Sequence, residues 1–541
     1  MATSAFLRGA NQPPPLEGYD LFSQNRPLVE ALRREGGAER VEECAAFGRL
    51  CGGEALELGR LANEHPPVLR AFDRFGERLD EVEFHPAWHE LLRIGVEHGT
   101  HAFPWADPGP GAHVSRAARF VTLAYAEAGV ACPLSMTYSV VPALRTDREL
   151  SAAWEPKLAV RVYDPGLRPA AEKGGLLAGM ALTERQGGSD VRSNETRAEP
   201  FGDGGYALDG EKWFCSAPMC DVFLVLAQAP GGLTCFVLPR VLPDGTRNGF
   251  RLRRLKDKLG NRSNASAEVE LSEAWATRLG AEGRGVATII DMVVHTRLDC
   301  VLGSTALVRR AVAEATHHAA YRSAFGRLLA EQPLHLNVLA DLCLDSEAAT
   351  ATALRLARAV DEHDDAFRRL ATTIGKYWIC KLTPALVAEA LECVGGNGYV
   401  EESSLPRLFR ESPLNSIWEG AGSIQALDLL RAVDKEPESA NALLAEIELA
   451  SGADARLDAA ASRLRQELDD GDELEYRARR VVELAALCLQ ASLLVRDAPP
   501  EVADAFCATR LAGDGGRAYG TLPRGADCAA IVERHRPRLD A

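Results

Sequence analysis

Residues 181–198, "ALTERQGGSDVRSNETRA", open the part of this 541-residue chain that reads as β structure. From about 176 to 285, runs rich in β-branched and aromatic residues, such as "DVFLVLAQ" and "LTCFVLP", are separated by turns such as "GDGG" and "PDGTRNG". Short strands with turn chemistry between them are typical of a small barrel or sandwich.

The segments on both sides of this β region have apolar residues at helical spacing. The run from 285 to 322 contains few helix breakers, which predicts one long helix of a bundle. The predicted fold class is therefore α+β, mainly α. We expect an N-terminal helical domain (1–175), a β-barrel (176–285), a helical bundle (286–437) and an extra C-terminal helical domain (438–541).

Composition excludes several classes of protein. The net charge of −16 argues against a surface devoted as a whole to nucleic acid, although a local basic patch remains compatible with it. The N-terminus lacks the charged-then-apolar order of a signal peptide, and the apolar stretch 481–495 is too short to span a bilayer. We expect a soluble, cytoplasmic protein without a membrane segment.

The cysteines and histidines give no metal or disulfide framework. Thirteen cysteines lie scattered without a C-x-x-C pair, as expected of small buried apolar residues in a reducing compartment. His85 and His89 in "HPAWH" have the i, i+4 spacing of a metal-ligand pair, but no third ligand lies nearby in sequence. We therefore predict packing histidines and no metal site.

Two segments of the β region carry candidate binding residues. In "TERQGGSD" (183–190), the Gly187–Ser189 turn exposes backbone N–H groups and Thr183 and Ser189 supply hydroxyls, so it could bind a heterocycle edge or a phosphate. The alternative is an ordinary surface turn. In "GEKWFCSAP" (210–218), Trp213 is either a core residue or an aromatic wall for a planar ligand.

A third candidate is Glu419, which stands in "SIWEGAGSIQ" (416–425) between Trp418 and a Gly-Ala-Gly turn. One interpretation is a helix N-terminus, with the turn followed by the helical stretch "IQALDLLRAV". The other is that the carboxylate and the slender backbone both approach a flat ligand closely.

Five ordered segments resemble motifs of the acyl-CoA dehydrogenase flavoproteins. They are "TERQGGSD" (183–190), "KWFCS" (212–216), "YRSAFG" (321–326), "GGNGY" (395–399) and "WEGAGSIQ" (418–425). The stretch "RLKDKLGNRSNASAEVEL" and the helical tail beyond 438 are similar to the AidB-type branch of that family. The resemblance covers about 30–435 and implies an acyl-CoA dehydrogenase fold, in which a four-helix bundle follows the barrel, plus the extra C-terminal domain.

The resemblance also implies an FAD cofactor and a homotetramer in which a neighbouring subunit completes each FAD site. Arg322, Phe325 and Gly395–Gly398 would reach the neighbour's FAD, with Arg322 offering a planar fork to phosphate oxygens. Cys215 stands where the family commonly has threonine, and "GAG" replaces the family's "GT" after Glu419. The implied cofactor-binding residues are Met180, Thr183, Gly188, Ser189, Trp213, Phe214, Cys215, Ser216, Arg322, Phe325, Gly395, Gly396, Asn397, Gly398, Ile417, Trp418, Gly420, Gly422 and Ser423.

Glu419 aligns with the catalytic base of most of the family. By that resemblance it would take the α-proton of a short or branched acyl thioester (an acyl-CoA or another small substrate) while a β-hydride leaves to flavin N5. Backbone N–H groups and a flavin hydroxyl would hold the thioester oxygen as an oxyanion is held.

Two other functions stay open at this point. A stress-response flavoprotein that protects DNA from alkylation would bind double-stranded DNA through its tail. However, residues 438–541 contain 13 arginines, no lysine and 19 acidic residues, a net charge of −6, whereas DNA-binding segments are usually basic. A local arginine face could consist of Arg510, Arg517, Arg524, Arg534, Arg536 and Arg538. The second alternative is an oxygen-using flavin enzyme of secondary metabolism, because one fold hosts several chemistries.

Overall fold

The computed structural model describes residues 11–202 and 204–539, and its contacts divide the chain into two compact units. The helical unit contains the residues up to Gly53, His113–Tyr125 and the chain from Cys300 onward. The barrel unit contains Glu54–Ala112 and Ala126–Asp299. This division differs from the four sequence domains because the N-terminal helical region contributes to both units.

Helices account for most of the described residues. They are α1 (Arg26–Leu32), α2 (Val41–Leu50), α3 (Leu56–Glu64), α4 (Pro86–Glu97), α5 (Phe103–Ala106), α6 (Ala112–Ala126), α7 (Ala131–Leu144), α8 (Arg148–Leu158), α9 (Gly285–Tyr321), α10 (Pro333–Asp361), α11 (Asp365–Val394), α12 (Ser404–Glu411), α13 (Gly422–Lys435), α14 (Pro437–Glu448), α15 (Ala455–Asp469), α16 (Leu474–Asp497), α17 (Pro500–Phe506) and α18 (Cys528–His535).

Short 3-10 or π-helical segments lie between several of these helices. They are Arg33–Gly37, Ala38–Arg40, Cys51–Ala55, Ala170–Glu172, Val191–Ser193, Leu329–Glu331, Gly395–Tyr399, Leu414–Ser416 and Cys507–Leu511. The strands are β1 (Val68–Phe72), β2 (Arg78–Glu83), β3 (Ala178–Ala181), β4 (Arg197–Phe201), β5 (Gly205–Ser216), β6 (Val222–Ala229), β7 (Gly232–Pro239), β8 (Phe250–Leu255), β9 (Ser266–Leu279), β10 (Ser323–Ala324) and β11 (Arg327–Leu328).

Strands β3–β9 form one sheet that closes on itself. Its order is β3-β6-β4-β5-β9-β7, β8 pairs with β9, and a further β6–β7 pairing returns to the start. β3 runs parallel to β6, with Ala178 opposite Val222, while the β5–β9 and β6–β7 ladders are antiparallel. Closure leaves few free strand edges, and the inward-facing residues of β6 and β7, such as Phe223 and Phe236, are fully buried.

The predicted fold class is confirmed: the chain is mainly helical and carries one small barrel within 176–285. The predicted long helix is α9, 37 residues from Gly285 to Tyr321. The β1–β2 hairpin lies in the region predicted to be helical. Its short alternating run "VLRAF" follows Pro66–Pro67, which blocks helix formation, and its turn contains Gly76 at φ 88°.

All 13 cysteines are unpaired, and all but the half-buried Cys528 are buried, as the sequence predicted. Among the described residues, no helix combines the length and the apolar character needed to cross a membrane.

Candidate functional site

A buried ion pair joins the first two motif segments within the barrel unit. Lys212, which is fully buried in β5, donates to Glu184 Oε1 at 2.7 Å and to the carbonyl oxygen of Leu226 at 2.6 Å. Glu184 also accepts the backbone N–H groups of Glu195 and Thr196. The "TER" turn is thereby fixed to the "KWF" strand.

The pKa values of this pair reflect their surroundings. Burial alone would raise the pKa of Glu184, but the Lys212 charge and the hydrogen bonds outweigh it and lower that pKa to about 2. Burial lowers the pKa of Lys212 to about 8, against the opposing attraction of Glu184. Sequence reasoning missed both roles. The available signal was that Glu184 and Lys212 are charged residues next to apolar strand residues.

Next to this pair, β5 bulges and presents an aromatic residue outward. The register with β9 shifts between Lys212 and Cys215, and Phe214 inside the bulge has φ 54° and is 57% exposed. The Trp213 ring is half-buried, and its backbone N–H donates to Thr183 O at 2.8 Å. Lys256 Nζ lies 3.3 Å from the centroid of the Trp213 ring. The strand therefore offers an exposed aromatic face on a fixed backbone.

The Cys215 side chain does not lie on the face that exposes Phe214. It is buried, and burial raises the pKa of its thiol to about 12. Alternation along the strand instead brings Ser216, which is half-buried, to the side of Phe214. Ser216 Oγ lies 3.3 Å from Ser266 Oγ, so the strand has a hydroxyl group on this side.

The other predicted residues of the barrel unit lie around the same turn. Met180 is half-buried near the end of β3, and Thr183 follows that strand directly. A Cβ added to Gly188 would collide with Thr183 Oγ1, so the turn folds back onto Thr183. Gly188 and Ser189 are exposed. The structure thus brings the barrel residues of the prediction onto one turn and one strand end.

In the helical unit, the segment Asn11–Gln12 connects two further motifs. Arg322 Nη1 donates to Asn11 O at 2.7 Å, and Asn397 Nδ2 donates to Gln12 Oε1 at 2.9 Å. Phe325, at the tip of the β10–β11 hairpin, has φ 52° and is 99% exposed. An entirely exposed phenylalanine on a tight hairpin is an unusual use of an aromatic residue.

The glycines of "GGNGY" have different environments. A Cβ on Gly398 would lie 2.5 Å from Leu391 O, so packing within the chain explains this glycine. A Cβ on Gly396 would meet nothing within 4 Å, and its φ is not positive. Within the described residues, nothing accounts for glycine at 396. The adjacent Tyr399 is 81% exposed.

Glu419 lies in a strained turn that leads directly into α13. Its φ is 56°, which is unfavourable for a residue with a side chain, and Gly420 follows at φ 96°. The helix N-terminus predicted as one alternative is present, since α13 begins at Gly422. Trp418 Nε1 donates to Asn415 Oδ1 at 2.9 Å, which fixes the neighbouring indole. Glu419 is half-buried, whereas Ile417 and Ser423 are exposed.

Two buried side chains hold the peptide groups around Glu419. Lys376 in α11 donates to the carbonyl oxygen of Trp418 at 2.8 Å and to that of Gly420. Gln425 Nε2 donates to the carbonyl oxygens of Glu419 and Gly420, each at 3.0 Å. Lys376 is 1% exposed and Gln425 is fully buried. Sequence reasoning identified Glu419 and missed both supports.

The predicted residues therefore fall into three groups: the barrel turn, the Arg322–Asn397 group and the Glu419 turn. The two histidines of "HPAWH" have separate roles, because His85 Nδ1 accepts the Ala87 N–H at the start of α4 and His89 Nδ1 bonds the Tyr163 hydroxyl. No group of three or more His, Cys, Asp or Glu side chains suited to a metal lies within residues 11–202 and 204–539.

The arginines of the C-terminal tail are largely occupied by acidic residues of the same chain. Arg510 pairs with Asp341 and Asp345, and Arg534 pairs with Glu347 and Glu30. Arg536 and Arg538 both pair with Glu533. Four of the six arginines of the predicted local face are thus tied to carboxylates.

Comparison with known families and proteins shows the family to which the chain belongs. Residues 11–165 match the adaptive response protein AidB N-terminal domain, 179–274 the acyl-CoA dehydrogenase middle domain and 283–433 the acyl-CoA dehydrogenase C-terminal domain. The chain is 46% identical to AidB of Escherichia coli over 515 residues, 94% of each chain. It is 32% identical to acyl-CoA dehydrogenase family member 11 of Caenorhabditis elegans, over 76% of this chain and 70% of that one.

Solved structures share the fold over nearly the whole chain. Caenorhabditis elegans ACDH-11 in complex with C11-CoA superposes with a TM-score of 0.85 at 25% identity and 93% coverage of both chains. Bd2924 in its apo form superposes with a TM-score of 0.82 at 28% identity, over 92% of this chain and 99% of that one. An acyl-CoA dehydrogenase from Bacillus anthracis complexed with FAD has the same fold at a TM-score of 0.63 and 20% identity, over 83% of this chain and 81% of that one.

Proposed function

Because the chain belongs to the AidB branch of the acyl-CoA dehydrogenase family, we propose that it is an FAD-dependent oxidoreductase that desaturates a short or branched acyl thioester between its α and β carbons. The observation that carries this proposal is the Glu419 turn. A carboxylate residue sits at a positive φ, and two buried donors, Lys376 and Gln425, hold the carbonyl oxygens on both sides of it.

The residues present suit a flavin. Phe214 gives an exposed aromatic surface, and Ser216 and Thr183 supply hydroxyls on the same strand end and turn. When bound, FAD would supply the hydride acceptor at its N5 atom. The barrel side chains would orient its planar ring and exclude water from one face.

Glu419 would act as the general base. Its carboxylate oxygen would take the α-proton of the thioester, and the proton would then remain on the Glu419 carboxyl while the substrate is oxidised by two electrons. A base must be held within hydrogen-bond distance of the proton that it removes. The support from Lys376 and Gln425 meets this requirement because it fixes the backbone from which the carboxylate extends.

A neighbouring subunit would complete the FAD site, as the resemblance implies for a homotetramer. The proposal is supported by Phe325 and Tyr399, whose rings are almost fully exposed in the single chain, and by Gly396, whose missing side chain nothing in the chain explains. Arg322, held by Asn11, would offer its remaining N–H groups to the neighbour's cofactor.

DNA binding is not included in the proposal. The arginines of the tail that are paired with Asp341, Asp345, Glu347 and Glu533 would have to leave these carboxylates to contact phosphates. No contact within residues 11–202 and 204–539 favours the oxygen-using alternative over dehydrogenation.

The test is an anaerobic titration of the FAD-saturated protein with isovaleryl-CoA and butyryl-CoA, followed by the visible absorption of the flavin. We expect bleaching in the wild type and none in Glu419→Gln, with equal FAD content in both. Full bleaching of Glu419→Gln would remove Glu419 as the base. Retained flavin without bleaching in the wild type would remove acyl-CoA as the substrate class.

A further inference from the structure

The barrel unit contains a cavity that the proposed function does not use. Its volume is about 400 Å³, within the range of small-molecule sites. It lies at the N-terminal ends of the parallel strands β3 and β6, where Leu176, Leu177 and Asp221 contribute to its wall. The turn with Thr183 follows the opposite, C-terminal end of β3, and four strand residues span about 13 Å.

The wall of the cavity is mainly apolar. Phe84 and Trp88 stack with ring centroids 4.9 Å apart and an interplanar angle of 10°. Val82, Leu92 and Met219 extend this surface, and Val82 and Leu92 are buried. Such a wall favours a ring or a branched aliphatic group over a polar ligand.

The charges around the cavity are paired within the chain. Lys173 Nζ lies 2.5 Å from Asp221 Oδ1, and the two side chains are 3% and 6% exposed. Asp164 pairs with Arg168 across 2.6 Å. A charged ligand would find no unbalanced charge to meet it and would lose its hydration. The cavity therefore selects against carboxylates and phosphates.

One polar pair remains to orient a ligand. His89 Nδ1 bonds the Tyr163 hydroxyl at 2.7 Å, and burial lowers the pKa of His89, which keeps the imidazole neutral near pH 7. Among the described residues, His89 Nε2 has no hydrogen-bond partner. In either tautomer this nitrogen can form one hydrogen bond with a hydroxyl or carbonyl group.

The rim of the cavity is fixed by specific contacts. The loop 162–167 is tied to the segment 173–175 because Lys173 Nζ donates to Gly166 O at 3.0 Å and the Gly174 N–H donates to Asp164 Oδ2 at 2.9 Å. A Cβ on Gly175 would collide with Val162 O, so the loop could not approach this closely without glycine. A cavity whose rim is held in this way is preformed, as binding sites commonly are.

We propose that this cavity binds a neutral ring compound that carries one hydroxyl or carbonyl group. The ring packs on Phe84 and Trp88, and the oxygen bonds His89 Nε2. The cavity lies at the opposite end of β3 from the Thr183 turn, so its ligand would be an effector or a second substrate of the protein and not the acyl thioester.

The test uses the full-length, FAD-saturated protein and isothermal titration calorimetry with 2-naphthol as the neutral probe and 2-naphthoate as its anionic counterpart. We expect 2-naphthol to bind with a micromolar Kd and 2-naphthoate at least tenfold more weakly. His89→Phe should weaken 2-naphthol binding about tenfold, whereas His98→Phe, on the same helical stretch but outside the cavity, should leave it unchanged. Leu92→Trp, which fills the cavity, should abolish it.

Three results would overturn the proposal: no binding of 2-naphthol up to its solubility limit, equal binding by wild type and His89→Phe, or displacement of 2-naphthol by butyryl-CoA. The last result would place the cavity in the thioester site. The variant His89→Phe conserves a ring of similar size, so the conclusion stands even where Leu92→Trp fails to fold. Flavin bleaching by acyl-CoA is measured separately, so failure of this site leaves the proposed function standing.

Discussion

Two buried lysines, Lys212 in the barrel unit and Lys376 in the helical unit, have hydrogen-bond partners of different charge. Lys212 has a carboxylate partner, Glu184, at 2.7 Å. Lys376 bonds only backbone carbonyl oxygens, those of Trp418 and Gly420, and forms no ion pair with any residue in the described part of the chain. The two side chains are 0% and 1% exposed, so burial does not distinguish them.

The two lysines therefore have different roles. Lys212 links strands of the barrel, whereas Lys376 positions the turn that carries Glu419. A lysine paired with a carboxylate contributes an internally balanced link between two strands of the barrel. A lysine bonded to carbonyl oxygens leaves its positive charge unbalanced beside the turn that carries Glu419, where it favours an anion. Charge-assisted hydrogen bonds are also stronger than neutral ones, so Lys376 fixes the turn more firmly than an uncharged donor could.

The largest effect is expected for Lys212→Met, because it leaves the Glu184 carboxylate buried without its partner. Breaking a buried pair from one side costs about 3–5 kcal/mol. We expect the free energy of unfolding of the barrel to fall by that amount, measured by hydrogen exchange of the β5 and β6 amides. The double variant Lys212→Met/Glu184→Leu should recover most of the loss, and an unrecovered double variant would contradict the pairing.

Lowering the pH should weaken the same ion pair by protonating Glu184. The loss of unfolding free energy should be smaller than that caused by Lys212→Met. The pKa of Glu184 is lowered from its ordinary 4.5 to about 2, so its ionised form stabilises the fold above pH 4.5. That stabilisation is lost as the pH falls from about 5 to about 2. We expect wild type to lose more stability across this window than Glu184→Gln, as measured by urea unfolding at half-unit pH steps. Equal losses of stability in wild type and Glu184→Gln would show that the folded state does not favour the ionised form of Glu184.

The sequence predicted the frame of the site because that frame follows from local patterns. Strand alternation and turn residues locate the barrel, and helical spacing locates α9. Glu419 was identifiable because a carboxylate beside a tryptophan and a Gly-Ala-Gly turn is locally unusual.

The parts that sequence reasoning missed depend on contacts between distant residues. Lys376 stands 43 positions before Glu419 in a helix, where a lysine is usually solvated, and only its apolar neighbours in "TTIGKYWIC" hint that it is buried. The burial of Cys215 and the exposure of Phe214 could not be read from the sequence because the bulge at Trp213–Phe214 shifts the alternation of β5. The β1–β2 hairpin was missed because its run of alternation is only five residues long.

Lys376→Met should change both the free energy of unfolding and the rate of flavin bleaching, and the two effects can be measured separately. Removing a charged donor from two carbonyl oxygens should cost about 1.5–3 kcal/mol of unfolding free energy. The loosened turn should lower the rate of flavin bleaching by acyl-CoA about 10–100-fold, since misplacement of a base by about 1 Å has effects of this size. Stopped-flow absorbance under anaerobic conditions measures the rate.

Lys381→Met is the matched control. Lys381 also lies near the turn, because its Cε is 3.1 Å from a Cβ built on Gly422. Within the described residues, it donates to none of the carbonyl oxygens of the turn. Equal slowing by both variants would mean that general positive charge, and not the two hydrogen bonds, sets the rate.

The smallest effect is expected for Gln425→Leu, which removes the neutral donor to the same turn. Gln425 Nε2 bonds the carbonyl oxygens of Glu419 and Gly420, while its Oε1 atom has no partner. The substitution loses two neutral hydrogen bonds and also removes one unsatisfied buried oxygen, so the net cost should be about 1 kcal/mol. Bleaching should slow less than in Lys376→Met. If Gln425→Leu slowed it more, neutral hydrogen bonding would be the main support of Glu419, and the unbalanced charge of Lys376 would have no special role.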